Sequence, residues 1–133
     1  MHIVIPDDYQ DAVRHLDCFA RLNGHAVTIY NDSVTEVDAL AERFQDADAL
    51  VLIRERTAIS AALLARLPKL KFIAQTGRGI PHIDVSACTR HHIPVLVGGG
   101  SPYSTAELTW ALVLVATRHI PQEVANLKAG RWQ

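Results

Sequence analysis

The segment Arg54-Glu55-Arg56-Thr57 places two guanidinium groups and a hydroxyl directly after a short apolar run. A guanidinium presents its N–H groups as a planar fork, which matches the oxygens of a carboxylate or a phosphate. The segment could therefore hold the charged end of a small acid. It could equally be a solvated turn in which Glu55 neutralises its two basic neighbours.

A second candidate is Thr76-Gly77-Arg78-Gly79-Ile80, in which an arginine lies between two glycines. Because glycine has no Cβ atom, the backbone at Gly77 and Gly79 can approach a ligand closely, although the same residues also suit a tight strand-to-helix turn. Pro81 and His82 follow where a dinucleotide-binding G-x-G-x-x-G motif would need its third glycine. The segment therefore indicates a small-ligand loop and not a nucleotide motif.

No set of histidines or cysteines has the spacing of a metal site. The seven histidines are scattered, and the adjacent pair His91 and His92 cannot share one face of a helix. The two cysteines, Cys18 and Cys88, suit a reducing compartment rather than a disulfide framework. We predict no bound metal, and we retain His82 as a candidate because it follows the glycine-flanked arginine.

These candidates need a scaffold, and the apolar pattern predicts an alternation of strands and helices. Short runs rich in valine and isoleucine indicate buried parallel strands, and stretches with helical periodicity lie between them. Ser33 and Glu36 predict a capping box at the entry of the second helix. The predicted strands are residues 3–5, 26–30, 49–53, 72–75 and 94–97, and the predicted helices are residues 12–22, 37–44, 60–67 and 84–91.

This alternation predicts an α/β fold. Right-handed crossovers and five strands favour a flavodoxin-like, five-stranded parallel sheet of order 2-1-3-4-5. In an open parallel sheet, ligands bind outside the carboxyl ends of the strands, beside the switch in strand order. We therefore expect the binding crevice among the loops that follow the first, third and fourth strands, namely loop one (residues 6–9), loop three (residues 54–57) and loop four (residues 76–80).

Composition and charge exclude several classes of protein. A length of 133 residues suits one domain, or one domain plus an appendage. Of these residues 49% are hydrophobic, and the formal net charge of −1 offers no basic field for nucleic acid or an anionic membrane. The first residues lack the cationic region and apolar run of a signal peptide, and the longest apolar stretch, residues 111–116, is too short to cross a bilayer. We expect a soluble, cytoplasmic protein.

A change of composition at Gly98-Gly99-Gly100-Ser101-Pro102 predicts a hinge. We divide the chain there into a sheet domain, residues 1–98, and a protruding C-terminal helical arm, residues 99–133. An S-x-x-E capping box at 104–107 predicts the start of a helix in the arm. Because apolar side chains cover nearly every direction around this helix, it must be buried on all sides, and we predict a homodimer through residues 104–119.

Several short motifs follow one another along nearly the whole chain: IRERT at 53–57, LPKLKFI at 67–73, GRG through ID at 77–84, HIPV at 92–95, AELT at 106–109 and LKAGRW at 127–132. Together they resemble the amino-terminal part of the D-isomer-specific 2-hydroxyacid dehydrogenases, most of all the phosphoglycerate dehydrogenase-like branch. Each motif is weak alone, but their common order and spacing make the resemblance specific.

The resemblance implies the substrate-binding portion of an NAD(P)-dependent oxidoreductase that acts on the CH–OH group of a 2-hydroxy acid. The ligand would be a small anionic 2-hydroxy or 2-keto acid. The family's nucleotide-binding Rossmann domain, with its catalytic residues, would lie beyond Gln133. We therefore assign no catalytic residue here, expect NAD or NADP only in the intact enzyme, and predict that this truncated chain binds no cofactor and is inactive.

The resemblance also assigns roles to two loops. Loop three matches the family's carboxylate-holding loop, and loop four matches its G-x-G loop near the nicotinamide end of the cofactor. This implies that Arg78 contacts the cofactor and that the substrate binds to Arg54, Arg56, Thr57, Gly77 and Gly79. Two residues depart from the family's pattern. Glu55 replaces a small polar residue and would repel an anionic substrate unless Arg54 or Arg56 pairs with it, and Pro81 replaces the usual aspartate.

Three alternatives come from other classes of protein. A non-catalytic ligand-binding or oligomerisation module would share the fold without turnover. A phospho-acceptor receiver domain needs an aspartate after strand three and a lysine after strand five, where this chain has Arg54 and Gly98. An FMN-binding flavodoxin needs a phosphate loop after strand one, where Asp7 and Asp8 would repel phosphate.

Overall fold

Parallel strands form the centre of the computed structural model, which describes residues 1–132. Every pair of neighbouring strands is parallel; Ile3, for example, lies opposite Val27 on one side and Ala49 on the other. The predicted α/β fold and the predicted strand order, 2-1-3-4-5, are confirmed. The strands are β1 (His2–Ile5), β2 (Ala26–Ile29), β3 (Ala49–Leu52), β4 (Phe72–Gln75) and β5 (Val95–Val97).

One face of the sheet packs against three helices: α1 (Val37–Phe44), α2 (Ala61–Leu64) and α3 (Val85–Arg90). Because successive side chains of a strand point to opposite faces, Val4 belongs to this core, whereas Ile3 and Ile5 belong to a smaller cluster on the other face. Phe44, at the end of α1, is fully buried in the larger core. Burial on both faces explains why Ile3, Val4 and Ile5 of β1 are all apolar.

Two helices begin where the sequence pattern places them. Ser60 caps α2 by accepting a hydrogen bond from the amide of Leu63 (3.2 Å). Asp84 caps α3 by accepting one from the amide of Ala87 (2.8 Å). In both cases the side-chain oxygen satisfies an N–H that the first turn of a helix leaves free.

The predicted helix at residues 12–22 is wrong. The segment forms two 3-10 helices, Val13–His15 and Asp17–Leu22, with Leu16 in an extended conformation between them. No residue of either 3-10 helix is buried. The apolar stripe in the sequence therefore finds too little to pack against, and a short α-helix without a buried face is marginal in water.

Both predicted capping boxes are also wrong. The hydroxyl of Ser33 donates to the carboxyl group of Asp7 (2.5 Å), and α1 has no side-chain cap. In the arm, Tyr103 occupies the cap position, and the hydroxyl of Ser101, not that of Ser104, accepts hydrogen bonds from the backbone there. A serine hydroxyl bonds the partner that the fold brings near it, and a carboxyl group is a strong partner.

The chain divides into two compact units, Met1–Gly99 and Gly100–Gln133. The second contains α4 (Ser104–Thr117) and α5 (Ile120–Lys128), with His119 left-handed between them (φ 51°). Nearly all of α4 is exposed in the single chain. Among residues 1–132, no helix combines the length and apolar character that a membrane span requires.

An ion pair at the amino-terminal edge of the sheet makes stability depend on acid pH. Asp48 accepts hydrogen bonds from Lys71 Nζ (2.8 Å) and from the amide of His2 (2.7 Å), and these contacts lower the pKa of its carboxyl from 3.8 to about 2. A group with a depressed folded pKa stabilises the fold above its unfolded pKa, and this contribution is lost as the pH falls through the folded value. We therefore expect the free energy of unfolding to fall between about pH 4 and pH 2.

Urea unfolding at successive pH values measures this dependence. Asp48→Asn, which keeps the shape and removes the titrating group, should make the fall shallower. The same slope in both proteins would contradict the role of Asp48.

Candidate functional site

Loop one, loop three and loop four meet at the carboxyl ends of β1, β3 and β4, as this strand order requires. Thr57 of loop three bonds Asp7 of loop one, and the carbonyl of Arg54 in loop three bonds Gln75 at the end of β4. The loops predicted to form one crevice are therefore adjacent.

Asp7 connects loop one to its neighbours. Its side chain is buried, and its backbone is left-handed, with φ of 62°. One carboxyl oxygen accepts a hydrogen bond from the Ser33 hydroxyl (2.5 Å) and the other from the Thr57 hydroxyl. The adjacent Asp8 is also buried and accepts bonds from the amides of Ala12 (3.0 Å) and Val13 (2.9 Å). Both acids are thus occupied by protein donors, as buried polar groups generally are.

Arg56 and Thr57 hold loop three against loop one. The Arg56 guanidinium donates to the carbonyl of Asp7 (2.5 Å) and lies over the ring of Tyr9, 4.2 Å from its centroid. Thr57 is buried, with its hydroxyl donated to Asp7. Their contacts with substrate stay predictions, while the contacts with loop one give both residues a positioning role.

Arg54 differs from Arg56 because its guanidinium has no partner in the described chain. The side chain is exposed and has no hydrogen bond or ion pair with any of the residues 1–132. Its backbone is left-handed, with φ of 57°, a conformation that a non-glycine residue adopts only when the surroundings hold it. Arg54 therefore offers an exposed cation, unpaired among residues 1–132, at the carboxyl ends of the strands.

The carboxylate of Glu55 lies close to Gly79 of loop four. A Cβ atom added to Gly79 would overlap its Oε1 atom and would lie 3.6 Å from its Cδ atom. Glu55 has no ion pair with Arg54 or Arg56 in the described chain, so the pairing that would offset its repulsion of an anion is not present. A side chain at Gly79 would displace this carboxylate, which is the flexible end of an exposed side chain.

His82 lies beside the same carboxylate. Both of its ring nitrogens are buried without a partner among residues 1–132. Burial lowers the pKa of His82 below 6.5, against an opposing effect of Glu55, because an imidazolium loses hydration when it is buried. Burial therefore favours the neutral form of the ring.

Loop four is held by its backbone. The amide of Gly98 donates to the carbonyls of Gln75 (2.8 Å) and Gly77 (3.2 Å), so the residue that follows β5 holds the turn. Arg78 at its tip is exposed and has no hydrogen bond or ion pair within the part of the chain that the structure describes. Its predicted contact with the cofactor stays a prediction.

Gly98 is a position where one methyl group should disturb the crevice. A Cβ atom there would overlap the carbonyl oxygen of Thr76 and lie 2.9 Å from its carbon, and backbone atoms cannot rotate away as a side chain can. We expect Gly98→Ala to cost about 1–3 kcal/mol of unfolding free energy, the usual cost of overpacking. Gly99→Ala is the matched control, because a Cβ atom at Gly99 meets nothing within 4 Å. Urea unfolding compares the two variants, and equal stability would refute the steric argument.

The sequence interpretation missed three residues of this site: Asp7, Gln75 and Gly98. A signal for the first two was available, because each lies at or just after the carboxyl end of a strand that borders the crevice. Gly98 gave no such signal, since only the folded chain brings Thr76 against it. In the described residues, no group of three or more histidine, cysteine, aspartate or glutamate side chains could hold a metal ion.

Known proteins resemble this chain in sequence. The family model "D-isomer specific 2-hydroxyacid dehydrogenase, catalytic domain" matches residues 3–129. D-3-phosphoglycerate dehydrogenase of Methanocaldococcus jannaschii is 42% identical over 96 residues, covering 71% of this chain and 18% of that protein. The Homo sapiens D-3-phosphoglycerate dehydrogenase is 30% identical over 112 residues, covering 84% of this chain and 21% of that protein. The chain thus spans about a fifth of the length of these curated relatives.

Two solved structures of similar proteins resemble this chain in fold and in sequence. Phosphoglycerate oxidoreductase from Vibrio cholerae o395 superposes with a TM-score of 0.81 at 53% identity, covering 100% of this chain and 42% of that one. A structure from Ralstonia solanacearum, provisionally described as a D-3-phosphoglycerate dehydrogenase oxidoreductase, has a TM-score of 0.81 at 56% identity, covering 98% of this chain and 40% of that one. The chain therefore belongs to the D-isomer-specific 2-hydroxyacid dehydrogenases, among the phosphoglycerate dehydrogenase-like members.

Proposed function

We propose that residues 1–98 are the substrate-binding domain of an NAD(P)-dependent oxidoreductase that acts on the CH–OH group of a 2-hydroxy acid. The observation that carries the proposal is Arg54, which lies at the carboxyl end of β3. Its backbone is left-handed, and its guanidinium has no partner among residues 1–132. Its guanidinium would bind the carboxylate of the substrate through charge-assisted hydrogen bonds. The backbone of loop four, free of side chains at Gly77 and Gly79, would lie against the rest of the acid.

The remaining roles rest on the contacts of each group or on the resemblance to the family. Arg56 and Thr57 would support the substrate loop through Asp7 and contact the ligand from there. Arg78 would face the nicotinamide end of the cofactor. Residues 99–133 would provide the hinge and the helices of a homodimer.

We also propose a cytoplasmic protein, since Cys18 and Cys88 are both free thiols.

These residues do not by themselves fit a whole dinucleotide. A pyrophosphate binds best at an open helix N-terminus, but Ser60 and the acidic Asp84 cap the N-termini of α2 and α3, the two helices that follow loop three and loop four. NAD or NADP would therefore be held mainly by a separate nucleotide-binding domain, and its chemistry when bound is reversible hydride transfer at C2 of the acid. This chain's own contribution is to bind and orient the acid.

We expect the 133-residue chain alone to bind small 2-hydroxy acids weakly and not to turn over. NMR titration of the labelled chain with D-glycerate should shift the amides of loop three and loop four, with acetamide as a neutral control. The rate of NADH oxidation in the presence of small 2-keto acids should stay at the blank rate, because the sequence contains no dinucleotide-binding motif. Binding that leaves both loops unshifted would refute the proposed site.

The rival is a non-catalytic ligand-binding or oligomerisation module. It is tested by joining the chain to a family nucleotide-binding domain. Turnover of a 2-hydroxy acid by the joined protein supports the dehydrogenase, and acid binding without turnover supports the module.

A further inference from the structure

Gln75 is a buried polar residue at the crevice that the proposed function does not yet use. It is the last residue of β4, and only 2% of it is exposed. Its Nε2 atom donates a hydrogen bond to the carbonyl of Arg54 (3.0 Å). The side chain of one strand end thus holds the backbone of the neighbouring loop.

The bond acts on a residue whose backbone is in an unfavourable conformation. Arg54 has φ of 57°, and an arginine does not settle there without a contact that selects it. The peptide carbonyl that Gln75 holds belongs to Arg54 itself. Release of this carbonyl would let the residue return to an ordinary backbone conformation and would swing the guanidinium away from its present direction.

Gln75 is an unfavourable choice for packing alone. Its Oε1 atom is buried and has no hydrogen-bond partner among residues 1–132. A buried acceptor without a partner destabilises the fold, whereas an apolar side chain of the same shape would not. The amide nitrogen is therefore what distinguishes this residue from a core methionine or leucine.

The same residue immediately precedes loop four. Its backbone carbonyl accepts a hydrogen bond from the amide of Gly98 (2.8 Å), which also donates to the carbonyl of Gly77 (3.2 Å). Gln75 therefore bonds loop three through its side chain and the residue after β5 through its backbone.

We propose that Gln75 is a positioning residue that holds Arg54 in its left-handed conformation and so aims the guanidinium at the carboxylate of the bound acid. The identity of the ligand in this proposal rests on the proposed function. The effect of Gln75 on the backbone of Arg54 does not depend on that function.

The test uses the labelled 133-residue chain with Gln75→Met, which keeps the shape and removes the donor. We expect the Arg54 Cα and Cβ chemical shifts to leave the values typical of positive φ. We also expect the dissociation constant for D-glycerate to rise about tenfold, as after loss of one charge-assisted contact. The midpoint of thermal unfolding should stay unchanged or rise. Gln75→Leu repeats the measurement if the methionine variant does not fold.

A double-mutant cycle with Arg54→Ala separates positioning from a general structural effect. If Gln75 acts through Arg54, Gln75→Met should weaken binding no further when Arg54 is already alanine. Gln45→Met, at the exposed end of α1, is the control and should change neither affinity nor the Arg54 shifts.

Positive-φ shifts that persist in Gln75→Met, or effects on affinity that add fully in the cycle, would overturn the proposal. If the wild-type chain binds no acid but Gln75→Met still changes the Arg54 Cα and Cβ shifts, the proposed function is wrong. The effect of Gln75 on the backbone of Arg54 is then still supported.

Discussion

Purified chain at micromolar concentration is expected to sediment as a homodimer whose interface is centred on α4. Leu108, Trp110 and Leu112 are 62%, 64% and 59% exposed in the single chain. Burying one large apolar side chain contributes roughly 1.5–3 kcal/mol, so several of them together can rival the whole stability of a small domain. Every solution of this chain contains further copies of the same helix, and a second copy can cover these apolar side chains.

An acidic substitution in the apolar surface of α4 tests this expectation. Trp110→Glu should shift the sedimentation coefficient from the dimer to the monomer, because a carboxylate in an apolar interface loses its hydration. Val85→Glu is the control, since Val85 is also an exposed apolar residue of a helix, 43% exposed, but lies outside the arm. A well-folded wild-type monomer at this concentration would rule out the dimer.

Arg54→Ala, made in an intact enzyme that carries this segment, is expected to raise the Michaelis constant for the 2-keto acid at least tenfold. The substitution removes one charge-assisted contact, about 1.5–3 kcal/mol. The dissociation constant for the dinucleotide should hardly change, because the proposed function places loop three against the acid and not against the dinucleotide. Stability should also be unaffected, since the Arg54 side chain has no partner within residues 1–132.

Arg90→Ala is the control for this prediction. Arg90 is also an exposed arginine without a hydrogen bond in the described chain, but it lies in the last turn of α3, away from the strand ends that form the crevice. Steady-state kinetics and dinucleotide titration of both variants decide the matter. An unchanged Michaelis constant in Arg54→Ala would mean that loop three is a solvated turn.

The sheet and the position of loops three and four at one edge of it were predictable from the sequence, because both depend on patterns that local physics imposes. A parallel strand covered on both faces is apolar at every position, so Ile3-Val4-Ile5 and Ala49-Leu50-Val51-Leu52 stand out in the sequence. Strand order then places loop three and loop four at one edge. Serine and aspartate at 60 and 84 cap helices because the groups they satisfy lie within three residues.

Only the tertiary structure decided which side chains of the crevice are free to bind a ligand. Ser33 and Thr57 lie 26 and 50 residues from Asp7, and no local pattern reveals that their hydroxyls meet its carboxyl group. Arg54 and Arg56 are equivalent in the sequence, yet the fold ties one to loop one and leaves the other open. A polar side chain bonds the partner that long-range packing brings within reach, so its residue type states what it can bind and the fold determines what it does bind.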